Sequence, residues 1–358
     1  MATEARGGEG TSAVRADQPP AADGLADRET LPEHAGDRDE LARRLRQLPP
    51  GHPSSPVEAD GTPRPPEPGL RRYEFADDGR AGTADSRPLS DAEYAEHVTK
   101  VRELLDKARA DGLATDRQYT IDPAREVWSG EREALHDSII EDLYAKAGDV
   151  PCERRAIMAG GLPGAGKSTV LEGHAGIDRS QYLTINPDDI KEEMARRDMI
   201  PPVNELSPME ACDLIHEESS HVAKRLTRRA QAEGKNLVLD ITMSSRESTE
   251  WRINTLRAAG YARIEGIFVD IPVEISATRV SSRHREGHDD YRAGHGMGGR
   301  FVPADVTRTQ ADLEWGSRYR RTFEEVKRHF DSWCRFDNSG FAPALAESGH
   351  REEDHDHY

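Results

Sequence analysis

Aromatic side chains are scarce in this chain of 358 residues, at 6%, and apolar residues together reach only 35%. Both figures are low for a compact enzyme of this length, so part of the chain is expected not to fold. Long apolar runs are missing too, with none near the roughly 18 residues of a transmembrane helix. Met1–Thr30 lacks the apolar stretch of about 7–15 residues that a signal peptide requires. The three cysteines, Cys152, Cys212 and Cys334, are far apart and odd in number, without metal-ligand spacing. They read as reduced thiols of a cytoplasmic protein, not as a disulfide frame. Positive charge is in deficit, with 49 Lys and Arg against 67 Asp and Glu, a net charge of −18. That balance makes nucleic acid or an anionic membrane surface an unlikely partner, but it leaves room for a local basic pocket that holds a phosphorylated small molecule.

The prolines locate the part that does not fold, since 12 of the 22 fall within the first 90 residues. Residues 1–88 are rich in Pro, Gly and charge, cannot bury enough apolar surface to offset their ordering entropy, and are expected to form a disordered tail. Such a tail serves as a tether or solubiliser, or else recruits a partner; a short helix at Asp37–Leu48 is its one expected element. Order is expected to begin at Ser90, which forms a capping-box pair with Glu93 ahead of Tyr94, Val98, Val101, Leu105 and Ala108 at helical spacing. A second amphipathic helix is expected over Glu131–Ala147, with Leu135, Ile139 and Leu143 on one face. Residues 89–150 thus make a helical lead-in.

Short apolar runs follow at Arg155–Ala159, Tyr182–Ile185, Leu237–Leu239, Ile264–Val269 and, more weakly, Trp333–Phe336. Helical patterns fill the gaps, notably Pro208–Glu233 and Glu247–Ala259. This alternation predicts an α/β domain over residues 151–342, a mostly parallel sheet with helices on both faces. Residues 343–358 are expected to be a disordered C-terminal tail.

The most informative segment is Gly160-Gly161-Leu162-Pro163-Gly164-Ala165-Gly166-Lys167-Ser168-Thr169. From Gly161 to Ser168 it satisfies G-x-x-x-x-G-K-S/T, between a predicted strand and a predicted helix, the setting that the phosphate-binding loop requires. Glycines let the backbone bend so that successive N–H groups face phosphate oxygens, and the helix that starts there adds the positive end of its dipole. Lys167 would reach the β- and γ-phosphates of ATP, and the Ser168 hydroxyl would sit on Mg²⁺. The loop alone does not separate a kinase from a GTPase or a mechanical ATPase.

A kinase also needs a group that positions the acceptor hydroxyl, an acid in the metal shell and cations around the transferred group. In an open parallel sheet these gather at the carboxyl ends of the strands. Asp188 and Asp189 lie just beyond the second strand and Asp240 ends the third; each is equally readable as a turn or N-cap aspartate. Arg279, Arg283 and Arg285 follow the fourth strand, and Arg300 closes a Gly- and His-rich stretch from His284 that could form a mobile cationic lid. A metal site at His284, His288 and His295 is not expected, because flanking glycines and acids suit a flexible loop. His216 and Ser220, one helical turn apart, could line an acceptor pocket or a plain polar flank. The turn Asp337-Asn338-Ser339-Gly340 could approach the adenine, or be only a turn.

Taken in order, residues 160–169, 185–191 (Ile-Asn-Pro-Asp-Asp-Ile-Lys), 216–220 (His-Glu-Glu-Ser-Ser), 236–240 (Asn-Leu-Val-Leu-Asp), 268–272 (Phe-Val-Asp-Ile-Pro) and 298–303 (Gly-Gly-Arg-Phe-Val-Pro) make the chain resemble the zeta toxin family of P-loop kinases. The resemblance spans about residues 130–340, with the lead-in covered in part and the N-terminal tail not at all. It implies ATP- and Mg²⁺-dependent phosphorylation of the 3′-hydroxyl of the amino sugar in UDP-N-acetylglucosamine, which blocks peptidoglycan precursor synthesis, and it raises the question of an antitoxin partner. By the resemblance Asp188 matches the acid that activates the sugar hydroxyl, Lys167 and Ser168 the phosphate and metal ligands, Asp240 the acid ending the third strand, and Arg283 and Arg300 the two arginines that brace the phosphates. Thr242 matches the threonine of an acid-Gly-Thr turn. The chain departs there, with Ile241 where glycine is usual; a branched side chain does not freely take positive φ, so a reshaped acceptor pocket is expected. The interval from Arg283 to Arg300 is also long. A kinase for another hydroxyl and a nucleotide-gated binding protein stay open as alternatives.

Overall fold

The structure is a computed structural model that describes residues 87–351. The expected N-terminal tail up to residue 86, with its short helix at 37–48, lies outside the described residues. Helix α1 (Asp91–Ala110) starts where the capping box places it: the Ser90 hydroxyl accepts from the Glu93 amide and the Glu93 carboxylate accepts from the Ser90 amide. Its apolar stripe buries Val101, Leu105 and Ala108. Helix α2 (Gly130–Ala145) is capped by Ser129 and buries Ile139 and Ile140. Between them runs a short helix (Thr115–Tyr119) and a two-stranded ribbon in which Thr120 pairs with Trp128.

The core is built on strands β1 (Arg155–Gly160), β2 (Leu183–Ile185), β3 (Leu237–Asp240), β4 (Arg263–Asp270), β5 (Ser332–Asp337) and β6 (Ala344–His350). Their spatial order is β6-β5-β4-β1-β3-β2; the five strands from β5 to β2 are parallel and β6 runs antiparallel to β5. The fold is α/β, with helices flanking the sheet: α3 (Lys167–Gly173), α4 (Pro187–Arg196), α5 (His216–Glu233), α6 (Arg246–Ala258), α7 (Val273–Arg292) and α8 (Arg318–Val326). The central strands are apolar on both faces, as covered parallel strands must be: Ile157, Met158, Val238, Ile267 and Phe268 are all buried.

Two sequence expectations need correction. The C-terminal segment 343–358 is not all tail, because Ala344–His350 forms β6, in register from Ala344 opposite Asp337 to His350 opposite Ser332. As a wet edge strand, exposed or half-buried throughout, it carries no apolar alternation that could announce it. Nor is His284–Arg300 one long loop: α7 continues to Arg292 and includes His284 and His288. Gly287, in mid-helix, signals a close approach and not flexibility, since a Cβ there would meet the Gly299 Cα at 2.6 Å.

The lead-in is fastened through a buried carboxylate. Glu218 on α5 accepts from Arg132 Nε at 2.7 Å and pairs with His136 Nε2 at 2.6 Å, all three being buried. Burial pushes the Glu218 carboxyl up, but hydrogen bonds from His136 and Arg132 outweigh it and hold the carboxyl below its usual range. Removing one partner strands a buried charge, so Arg132→Ala is expected to cost about 3–5 kcal/mol of unfolding free energy in urea titrations. Since the folded pKa is the lower, the unfolded chain binds more protons below about pH 4–5, so the contribution of Glu218 is complete above that range and is lost as pH falls through it. A denaturant midpoint that Arg132→Ala leaves unchanged would refute this fastening.

Candidate active site

The loop between β1 and α3 takes positive φ at Gly161, Gly164 and Gly166 (141°, 72° and 84°). What shapes it is a set of donors that hold its carbonyls outward. The Ser276 hydroxyl donates to Pro163 O at 2.6 Å, Arg279 Nη1 to Gly164 O at 3.3 Å, and Asn338 Nδ2 to Ala165 O at 2.7 Å. In a planar peptide the N–H points opposite the C=O, so these contacts turn the amides of Gly164 and Gly166 toward the inner face of the loop. Leu162 and Ala165 are buried and anchor it, and Pro163 is half-buried. Ser168 and Thr169 stand exposed in the first turn of α3.

Lys167 opens α3, and its Nζ lies 3.4 Å from Asp240 Oδ1 at the end of β3. Asn186 bridges from β2: its Nδ2 is 3.4 Å from Asp240 Oδ2, while its Oδ1 accepts the Asp188 amide at 2.9 Å. The N-cap of α4 is therefore Asn186, which leaves the carboxylate of Asp188 for other work. That carboxylate pairs with Arg300 and lies 3.8 Å from Lys191 Nζ. Lys191, itself buried, also donates to His216 Nδ1 at 3.4 Å. Asp189 is exposed on the rim, where it accepts from Asn186 Nδ2 at 3.4 Å.

The two central carboxylates are pushed in opposite directions. Burial raises Asp188, but Arg300 and Lys191, with Lys167 behind them, more than offset it and hold the carboxyl below its usual range. Asp240 is raised by burial, which Lys167 only partly opposes.

Lys167, Asp240, Asp188 and Arg300 thus meet at the carboxyl edge of the sheet, with His216 beside Lys191. Ser220 is half-buried one turn along α5 from His216. Arg283 is exposed on α7, one turn beyond Arg279, and it is Arg279 that grips the loop, donating also to Asn338 O at 2.9 Å. Arg285 turns away to pair with Asp91 at 2.7 Å and packs on the Tyr94 ring. Sequence reasoning missed Ser276 and the loop-shaping role of Asn338; the only signal was the position of each just after a strand.

A Zeta toxin family profile matches residues 149–332, just over half of the chain. The chain belongs to the Zeta toxin family. Among curated proteins no sequence matches it. Among solved structures, a chain of the AvrRxo1-ORF1:-ORF2 complex with ATP is matched over 66% of this chain and 76% of that one, at 18% identity and a TM-score of 0.50. The same complex with sulfate ions gives 0.49. A chain from the PezAT chromosomal toxin-antitoxin system of the human pathogen Streptococcus pneumoniae is matched over 62% of this chain and 82% of that one, at 13% identity and a TM-score of 0.42. In this chain the turn after β3 has its own solution to the missing glycine. Ile241 stays in ordinary backbone space, its amide donating to Ala159 O at 2.9 Å, and the positive φ falls on Met243 (56°), two residues on. Thr242 O accepts the Gly161 amide at 3.2 Å, so this turn bears directly on the phosphate loop. The long interval from Arg283 is taken up by the last turns of α7 and a loop that folds back to bring Arg300 to Asp188.

If Asn338 shapes the loop, Asn338→Ala should weaken ATP binding about five- to tenfold, the equivalent of one net hydrogen bond. Isothermal titration calorimetry measures it; unchanged affinity would mean the loop keeps its shape without this donor.

Proposed function

We propose that this Zeta toxin transfers the terminal phosphoryl group of ATP to the 3′-hydroxyl of a nucleotide sugar of the UDP-N-acetylglucosamine type. The observation that carries this reading is the convergence of an ionised carboxylate, Asp188, with Lys167 and Arg300 at the mouth of the phosphate loop. A nucleotide switch has no use for a carboxylate at the acceptor position; a kinase does.

In this reading the backbone from Gly161 to Thr169 holds the triphosphate, and Lys167 spans its β- and γ-phosphates. The donor set fits Mg²⁺, with the Ser168 hydroxyl and the Asp240 carboxylate as hard oxygen ligands, and Asp240 lacks the full cationic compensation that Asp188 has. Bound there, the ion would neutralise charge on the phosphate oxygens. Asp188 accepts the hydrogen bond of the incoming hydroxyl, aligns its oxygen with the γ-phosphorus and takes its proton as the new P–O bond forms and the bond from the γ-phosphorus to the β,γ-bridging oxygen breaks, with ADP as the leaving group. Arg300 exchanges Asp188 for the transferring group, and Arg279 and Arg283 add positive charge from α7. Asp189, His216, Ser220 and Thr242 line the acceptor side.

A neutralising protein partner and a cytoplasmic setting belong to the same reading. The family name supports the partner, as does the pairing of AvrRxo1-ORF1 with ORF2. No described helix is long and apolar enough to cross a membrane.

The test is incubation with ATP, Mg²⁺ and UDP-N-acetylglucosamine, read by mass for one added phosphate, with Lys167→Ala as the inactive control. Asp188→Asn should keep ATP affinity and lose about 10²–10⁴-fold in turnover. Equal turnover in that variant would overturn the role of Asp188. Product from a cell extract but none from UDP-N-acetylglucosamine would move the acceptor to another hydroxyl.

A further inference from the structure

Four side chains from three separate segments meet beneath the loop that carries Arg300. His97 comes from α1, His284 and His288 from adjacent turns of α7, and Glu210 from the segment ahead of α5. Glu210 Oε1 has three imidazole nitrogens around it: His97 Nε2 at 2.6 Å, His284 Nε2 at 3.0 Å and His288 Nδ1 at 3.0 Å. Glu210 and His284 are each only 1% exposed and His288 is 9% exposed. A carboxylate oxygen has two lone pairs, so at most two of these three nitrogens can donate to it.

The hydrogen bonding of Tyr94 sharpens the conflict. Its hydroxyl oxygen lies 2.9 Å from both Ser281 O and His284 Nδ1. The carbonyl can only accept, so the single hydroxyl proton goes to it, and His284 Nδ1 must carry the hydrogen that Tyr94 accepts. In a neutral imidazole Nε2 is then a bare lone pair, aimed at the Glu210 carboxylate. Two acceptors face one another at a buried position, and a cation between them resolves it.

We propose that His97, Glu210, His284 and His288 form a closed structural site for a divalent transition-metal ion, with zinc the best fit. Three imidazoles and one carboxylate are a donor set that suits tetrahedral zinc, and two histidines at i and i+4 on one helix present their rings to a common ion. With metal–ligand bonds of about 2.0–2.2 Å, tetrahedral ligand atoms stand roughly 3.3 Å apart. The ligand atoms of His97, Glu210 and His284 already lie within 4.8 Å of one another, and His288, whose Nδ1 is 3.0 Å from Glu210 Oε1, has to turn further toward the other two imidazoles to complete the set. The outer partners are those that ligands need: Tyr94 fixes the His284 tautomer, and the Ser207 amide and hydroxyl each hold Glu210 Oε2 at 2.8 Å. A second cluster, Glu133, His136 and His221, differs in charge, because Arg225 sits 2.6 Å from Glu133. Among the described residues no Lys or Arg pairs with Glu210. The ion would lock α1 to α7 and to the segment before α5, and so brace the turn through Gly298 that leads to Arg300; Met209 N already donates to Met297 O there at 3.0 Å.

The full-length protein, expressed with zinc in the medium and dialysed against metal-free buffer, should retain one zinc per chain by plasma mass spectrometry. Replacement by Co²⁺ should give the intense visible bands of a tetrahedral site. Chelation should lower the melting temperature, and zinc should restore it. His288→Ala should lose the metal, Tyr94→Phe should bind it about 10–100-fold more weakly, and His295→Ala, at an exposed position, should bind as wild type. If the substituted chains fail to fold, metal content and the cobalt spectrum of the wild type still decide. Substoichiometric zinc with no tetrahedral cobalt spectrum and a melting temperature indifferent to chelator would overturn the site.

Discussion

Everything at the nucleotide end depends on where the carbonyl groups of residues 163–165 point. A phosphate loop binds anions with backbone dipoles, and a dipole is useful only when its oxygen is occupied elsewhere. Here the oxygens are occupied by side chains that enter from outside the loop, Ser276 and Arg279 from α7 and Asn338 from the end of β5. The sheet order makes this possible. Strand β4 lies beside β1, so the helix that follows β4 starts against the loop, and β5 comes next. On the other side of β1, β3 delivers Asp240 and β2 delivers Asn186 and Asp188. One half of the sheet shapes the phosphate cradle and the other half supplies the acids.

The charge arrangement follows the same division. A chain with a net charge of −18 would repel a triphosphate at long range, and only local cations reverse that sign. Lys167, Lys191, Arg279 and Arg300 are drawn to the strand ends, and three of them, Arg300, Lys191 and Lys167, hold Asp188 ionised despite its desolvation. Asp240, a neighbour of the same Lys167, is pushed the other way because burial exceeds what one lysine returns. Carboxylates whose environments drive them apart are fitted to different tasks, and that separation favours giving them different roles in phosphoryl transfer.

Legibility in the sequence tracked how local the cause was. The capping box of α1, the five parallel strands and the phosphate loop are written in contiguous residues, and each is found within a residue or two of its expected place. Where the cause was a contact between distant segments, the reading failed. Gly287 looked like a loop residue, but it stands in a helix because the backbone at Gly299 presses against it. His284 and His288 therefore seemed to lack a common face, although helical spacing gives them one. Strand β6 has no apolar side to show, and Asn338 looked like turn chemistry because its partner, the carbonyl of Ala165, is 173 positions away.

The lead-in helices sit outside the profile match at 149–332, yet the charge balance of that region depends on them. Two carboxylates eight positions apart, Glu210 and Glu218, are buried in the matched region, at 1% and 0% exposure. Arg132 and His136, which neutralise and hydrogen-bond Glu218, both come from α2; His97, the shortest contact to Glu210, comes from α1. A buried carboxylate without its partners must either take up a proton or draw in water, and both costs fall on the folded state alone. Cutting the chain at the start of the matched region would therefore do more than expose an apolar face. It would take Arg132 and His136 from Glu218 and the closest imidazole, His97, from Glu210, which would keep His284, His288 and Ser207. Residues 90–147 thus belong to the same folded unit as the matched region on electrostatic grounds, and the family match does not mark the physical boundary of that unit.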